Sequence, residues 1–204
     1  MSAFVHKYIP PKGDSRRTLL MLHGTGGDES SLLAFADSLD PSAGVLSPRG
    51  KVLEKGMPRF FRRVAEGVFD LEDLVLRTHE LADFITESAI TYGFDLGGVI
   101  AFGYSNGANI AASMLLLRPE VLGGGILVRA MVPLEPQNPP DLKDKRVLIL
   151  AGTRDPYAPR EQTERLEKLL AKGGAKLTVR YQESGHDIAR EEIDVARDWL
   201  AEQN

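Results

Sequence analysis

The chain has 204 residues, 43% of them hydrophobic, and a formal net charge of −4, which suits one compact domain over residues 1–204 with a substantial core. That charge, with no basic stripe beyond the small cluster of Arg59, Arg62 and Arg63, speaks against a nucleic-acid partner. The absence of cysteine excludes disulfides, zinc–thiolate centres and a cysteine nucleophile.

The first stretch, "MSAFVHKYIPPKGDSRR", carries no apolar core long enough for a signal peptide. No run approaches the roughly 20 apolar residues of a membrane span, so a cytoplasmic protein without membrane contact is the expectation. "TLLMLHG" (Thr18 to Gly24) reads as a buried strand and "SLLAFADSL" (Ser31 to Leu39) as a helix, followed by a short strand in "AGVLSP" (Ala43 to Pro48). The stretch from Arg49 to Asp70 shows no periodicity and reads as a long loop. Asp70 to Gly93 is a long amphipathic helix, with Leu71, Leu74, Val75, Leu81, Phe84 and Ile85 as its apolar stripe.

"GGVIAFGY" (Gly97 to Tyr104) is a strand, and "NIAASMLLL" (Asn109 to Leu117) is a mostly apolar helix stopped by Pro119. Strands follow at Gly124 to Ala130 and Arg146 to Gly152, a helix at Arg160 to Gly174, and an alternating strand at Ala175 to Gln182. A helix near Arg190 to Ala201 closes the chain; its Ile193, Val195, Trp199 and Leu200 could pack internally or against a second copy in a homodimer. This alternation argues for an α/β domain with a mostly parallel sheet covered on both faces. Ligands of such sheets bind beyond the carboxyl ends of the strands, so residues just after each strand are the ones to inspect.

Gly103-Tyr104-Ser105-Asn106-Gly107 fits the G-x-S-x-G nucleophile elbow, between a strand and a helix. A turn this tight strains the serine backbone and crowds the positions two before and two after it, where only very small residues fit. It leaves the serine Oγ exposed at a helix N-terminus, which favours developing negative charge. A serine hydroxyl needs a base and a carboxylate to orient that base. Of the four histidines, His6 lies near the N-terminus, His79 sits among charged residues of the long helix, and His23 lies in a glycine-rich loop. His186 follows the last strand directly and is the candidate base. Asp155 follows the strand before it, whereas Asp141 and Asp144 precede that strand and Asp187 is too close in sequence to face the imidazole. The order Ser105, Asp155, His186 is the one expected of this elbow.

"LHGTGGDE" (Leu22 to Glu29) fails the dinucleotide fingerprint, because Glu29 stands where its third glycine belongs, and it has no P-loop lysine. An oxyanion loop is the better reading, with backbone N–H donors from Thr25 and from Asn106, the residue after the nucleophile. His23 is then structural.

Together these motifs resemble the α/β-hydrolase superfamily and, within it, the phospholipase/carboxylesterase family that includes the acyl-protein thioesterases. The likeness runs through "LHGTGGDE", "GYSNGAN", "AGTRDPYAP" and "SGHD", and "SPRG" with "RFFRR" is similar to small bacterial carboxylesterases. The resemblance implies a mostly parallel sheet of about seven strands, catalytic roles for Ser105, Asp155 and His186, and oxyanion donors at Thr25 and Asn106. Many thioesterase members carry an apolar residue where Thr25 stands and glutamine where Asn106 stands; donors that act through the backbone survive both changes.

Phe60, Phe61 and Phe69 are expected to wall an acyl pocket, opposite Met131, Val132 and Leu134, and Arg59, Arg62 and Arg63 to meet either an anionic substrate group or nearby carboxylates. No insertion is large enough for an extensive lid. The resulting expectation is a serine carboxylesterase for small-molecule esters that needs no cofactor and no metal. Thioesterase or lysophospholipase activity is the nearest alternative, and a non-catalytic ligand-binding protein is the alternative of another class. A histidine base stops working once protonated, so a rate flat from about pH 5 to 8 would contradict the assignment.

Overall fold

The computed structural model describes residues 4–202. In chain order the elements are β1 (His6–Ile9), β2 (Thr18–Leu22), α1 (Leu33–Leu39) and β3 (Gly44–Pro48), then four short strands, β4 (Val52–Glu54), β5 (Met57–Arg59), β6 (Arg63–Ala65) and β7 (Val68–Phe69). There follow α2 (Leu71–Tyr92), β8 (Val99–Tyr104), α3 (Asn106–Leu117), β9 (Gly124–Val128), β10 (Arg146–Gly152), α4 (Arg160–Lys172), β11 (Lys176–Gln182) and α5 (Arg190–Ala201).

Seven strands form the central sheet in the order β1-β3-β2-β8-β9-β10-β11. All neighbours are parallel except β1 on β3. The inner strands are buried on both faces, which is why they read as continuous apolar runs. Alternate side chains feed two separate cores: Leu20, Leu22, Ala101, Leu127 and Ile149 pack with residues of α2, α3 and α4, while Leu19, Met21, Phe102, Val128 and Leu150 pack with α1 and α5. Ile193, Trp199 and Leu200 of α5 are buried in this second core, so that face is used inside the chain.

Helix α3 is buried from Asn106 to Leu116, as expected of a helix that is apolar all round. α2 starts at an Asp70 cap that accepts from the Asp73 N–H and ends at Gly93 in the left-handed region. Its buried stripe runs through Leu74, Thr78, Leu81 and Ile85; Leu71 and Val75, expected in that stripe, are exposed.

The stretch 49–70 is not a loop. It folds into two antiparallel hairpins, β4–β5 and β6–β7. The first turns on Lys55 (φ 52°) and Gly56 (φ 82°), both in the left-handed region that a two-residue hairpin turn requires. Strand β1 is an edge strand of four residues and alternates between half-buried and exposed, too short and too polar to stand out in the sequence.

Candidate active site

Each candidate residue lies just beyond the carboxyl end of a sheet strand. Ser105 follows β8, Thr25 follows β2, Asp155 follows β10 and His186 follows β11. Parallel strands place these four chain positions at one end of the sheet although 161 residues separate the first from the last (186 − 25).

Ser105 adopts φ 52°, ψ −112° and caps α3, a strained conformation of the kind that costs about 1–3 kcal/mol and persists where surrounding packing dictates it. The packing here is backbone on backbone. A Cβ on Gly103 would lie 2.5 Å from the Gly107 carbonyl oxygen, and one on Gly107 would lie 2.0 Å from the Leu22 carbonyl oxygen. The Ser105 N–H donates to the Val128 carbonyl (2.9 Å), tying the elbow to the end of β9.

His186 Nε2 lies 2.9 Å from Ser105 Oγ. On its other side, His186 Nδ1 lies 2.8 Å from Asp155 Oδ2 and 3.0 Å from Oδ1. A carboxylate only accepts, so Nδ1 carries the proton and Nε2 is left to accept from the serine hydroxyl. Asp155 is buried, and its Oδ1 also accepts from the N–H groups of Tyr157 (2.8 Å) and Ala158 (3.1 Å). Those bonds fix its orientation. Tyr157 stands edge-on to the imidazole at 5.0 Å.

The N–H groups of Thr25 and Asn106 have no backbone acceptor among the described residues; the latter belongs to the first turn of α3, whose N–H groups find no partner inside the helix. His23, fully buried, holds the loop that carries Thr25. Its Nε2 accepts from the Gly50 N–H (3.0 Å), so its Nδ1 carries the proton donated to the Gly24 carbonyl (2.7 Å). Burial pushes the His23 imidazole below its ordinary range.

Two asparagines in the first turn of α3 fasten the walls beside the serine. Asn106 Oδ1 accepts from the Phe60 N–H (2.7 Å) and Asn109 Oδ1 from the Met131 N–H (2.8 Å). Arg129, also with positive φ (59°) and fully buried, braces the histidine loop. It pairs with buried Glu192 through Nη1 (2.6 Å) and Nη2 (2.8 Å), and donates to the carbonyls of Gly185 (2.9 Å) and Asp187 (2.7 Å) and to Ser184 Oγ (3.0 Å). Neither asparagine side chain nor Arg129 stood out in the sequence; the signal was their position just past β8 and β9.

Ser105, His186, Thr25 and Asn106 line a cleft of about 240 Å³, walled further by Phe69, Met131, Tyr157, Arg59 and Arg63. Four of the expected wall residues are corrected here. Phe60 and Phe61 are buried beneath the hairpins, Phe60 against His23 (4.7 Å) and Phe61 edge-on to Phe69 (5.1 Å). Val132 and Leu134 pack against the core of the α2–α3–α4 face. Large apolar side chains that can reach a closed core gain more there than at the rim of an open cleft. A larger hollow, about 850 Å³, opens around Gly97, Asp144 and Arg146 and holds none of the candidate residues. Among the described residues no three His, Asp or Glu side chains cluster to hold a metal ion, and no helix is long and apolar enough to cross a membrane.

The chain is similar to known proteins along nearly its whole length. The chain is 50% identical over 196 residues to MhqD of Bacillus subtilis (strain 168), a provisionally assigned hydrolase, covering 96% of this chain and 98% of that one. A carboxylesterase from Bacillus cereus superposes with a TM-score of 0.95 at 45% identity, over 97% of this chain and 93% of its own. YahD, solved with malic acid, gives 0.91 at 32% identity, over 97% and 98% of the two chains. Residues 5–204 match the Phospholipase/Carboxylesterase family, and the chain belongs to that family of hydrolases.

Proposed function

We propose that this protein is a serine carboxylesterase that cleaves small carboxylic esters through an acyl-enzyme. One observation carries the reading: an unbroken hydrogen-bonded line from Asp155 through His186 to Ser105 Oγ, at 2.8 and 2.9 Å. His186 Nε2 takes the hydroxyl proton as Ser105 Oγ bonds to the ester carbonyl carbon. Asp155 holds the imidazole in the required tautomer and stabilises the imidazolium. The N–H groups of Thr25 and Asn106 receive the oxyanion, a role in which a single donor is worth about 10²–10³ in kcat.

His186 then returns the proton to the alkoxide, and the alcohol leaves. Water, deprotonated by the same nitrogen, attacks the acyl-enzyme and releases the acid and free serine. The cleft of about 240 Å³ supports small esters over long acyl chains. Rapid mixing with 4-nitrophenyl acetate tests the reading. A burst of one nitrophenol per chain before steady turnover is expected for the wild type, and none for Ser105→Ala. Undiminished turnover by Ser105→Ala would refute it.

A further inference from the structure

The three arginines of the hairpin region have different fates. Arg62 is 61% exposed and faces Asp70 and Asp73. Arg63 is saturated, with Nε and Nη2 on Glu54 and Nη1 on Glu66. Arg59 is neither exposed nor saturated. Its side chain is 4% exposed, yet it lines the cleft that holds Ser105. Nε donates to the Phe61 carbonyl (3.2 Å) and Nη1 to Thr25 Oγ1 (2.6 Å), while Nη2 has no partner among the described residues. Its one carboxylate within 4 Å among the described residues, Glu54, stands 3.4 Å from Nε and is held more closely by Arg63, at 2.7 Å.

This wall therefore sets two guanidinium groups beside Glu54 and Glu66, and Arg63 holds both carboxylates by hydrogen bonds, which leaves Arg59 without a close carboxylate of its own. Glu66 is the only carboxylate among the residues lining the cleft, and it is 61% exposed. A second donor is also unspent: Asn106 Nδ2 is sealed from solvent with no acceptor among the described residues. Buried polar groups are normally satisfied and buried cations normally paired. Of the two, Arg59 Nη2 is the donor that a cleft-bound anion can reach. Arg59 grips the threonine of the oxyanion loop, so an anion bound to it lies close to the carbonyl under attack. The alcohol departs on the His186 side, from which it takes its proton, and the Arg59–Thr25 side is left for the acyl group.

We propose that Arg59 anchors an anion subsite, and that the substrate is a short ester with a carboxylate at the far end of its acyl group, a half-ester of a small dicarboxylic acid. The proposal rests on the ester-hydrolase reading. Water cleaves the half-ester to the alcohol and the free dicarboxylic acid, with no other reactant.

The test compares phenyl hydrogen succinate with phenyl 4-methylpentanoate, its isostere with an isopropyl group in place of the carboxylate, by phenol release from wild type, Arg59→Lys and Arg59→Met. Hydrogen bonds to charged groups lead us to expect at least about a tenfold preference of the wild type for the charged ester in kcat/KM. Arg59→Met should bring that ratio to about one, and Arg59→Lys should keep part of it. Arg59 also braces Thr25 and Phe61, so its truncation can unfold the hairpin. In that event the wild-type ratio, together with competitive inhibition by succinate, decides. Equal rates on the two esters, or a charge preference that survives in folded Arg59→Met, would overturn the subsite. If the wild type still reacts with a fluorophosphonate, the hydrolase reading stands without it. An enzyme that neither reacts with fluorophosphonate nor cleaves either ester overturns both.

Discussion

At the scale of single residues, the proposed chemistry rests on three side chains whose orientation follows from their neighbours. Asp155 accepts two backbone N–H bonds and has Arg129 Nε 3.8 Å from its Oδ2, and by accepting from His186 Nδ1–H it fixes the imidazole tautomer. Asp155→Asn should keep the fold and lower kcat by about 10⁴, because an amide can favour the wrong tautomer; steady-state kinetics on a short ester checks it. His23 offers a separate prediction about stability. Its imidazole is held below the ordinary histidine range by burial, so the unfolded chain takes up a proton before the native state does. More protons bound in the unfolded state means stability that falls as pH drops below about 6.5. Thermal midpoints from pH 8 to 5.5 should decline, and decline less steeply for His23→Asn; equal slopes would deny His23 this role. Ser105, Asp155 and His186 could be singled out because each follows a strand, in the chain order expected of the nucleophile elbow. Tyr157, two residues past Asp155, was legible in principle by the same rule. Phe60 and Phe61 misled: an aromatic pair near a site looks the same in sequence whether it faces substrate or core.

Among the elements, the β8–α3 junction and the histidine loop set the geometry. Gly107→Ala places a methyl group against the Leu22 carbonyl, where neither backbone can yield. The unfolding free energy from denaturant titration should fall by the upper end of the about 1–3 kcal/mol that overpacking costs. The Arg129–Glu192 pair separates stability from positioning. Removing Arg129 alone leaves a fully buried carboxylate, a change that costs about 3–5 kcal/mol. Replacing both residues with methionine should recover much of that stability, because an apolar pair carries no desolvation penalty. The carbonyls of Gly185 and Asp187 would still lack their donor, so kcat should remain depressed in the double variant. Full activity there would assign the pair to stability alone. These elements were only partly readable. The hairpins between residues 49 and 70 turn on Lys55-Gly56 and Glu66-Gly67, outside the Asn-Gly and Asp-Gly signals that mark such turns. Arg129 sits at the end of an apolar run, where no periodicity announces a buried ion pair.

At the scale of the whole molecule, a parallel sheet with two cores brings four distant loops to one rim, and that topology was the most legible feature. Buried parallel strands read as apolar runs, and the helices between them carry their own period. Strand β1 escaped because an edge strand needs neither. The walls of the cleft come from both sides of the chain, hairpins from residues 49–70 and the segment around Met131, so its size could not be read from any one stretch. Rates on 4-nitrophenyl esters should therefore fall with acyl length beyond a few carbons; a strong preference for long chains would contradict a cleft this small. The most direct measurement is the intact mass of the protein after treatment with a fluorophosphonate, for the wild type and for Ser105→Ala. A single adduct on the wild type, absent from the variant, is the expected result and marks an activated serine at the elbow. A folded wild type that takes up no adduct, or a variant that still does, would contradict the assignment of Ser105 as the nucleophile.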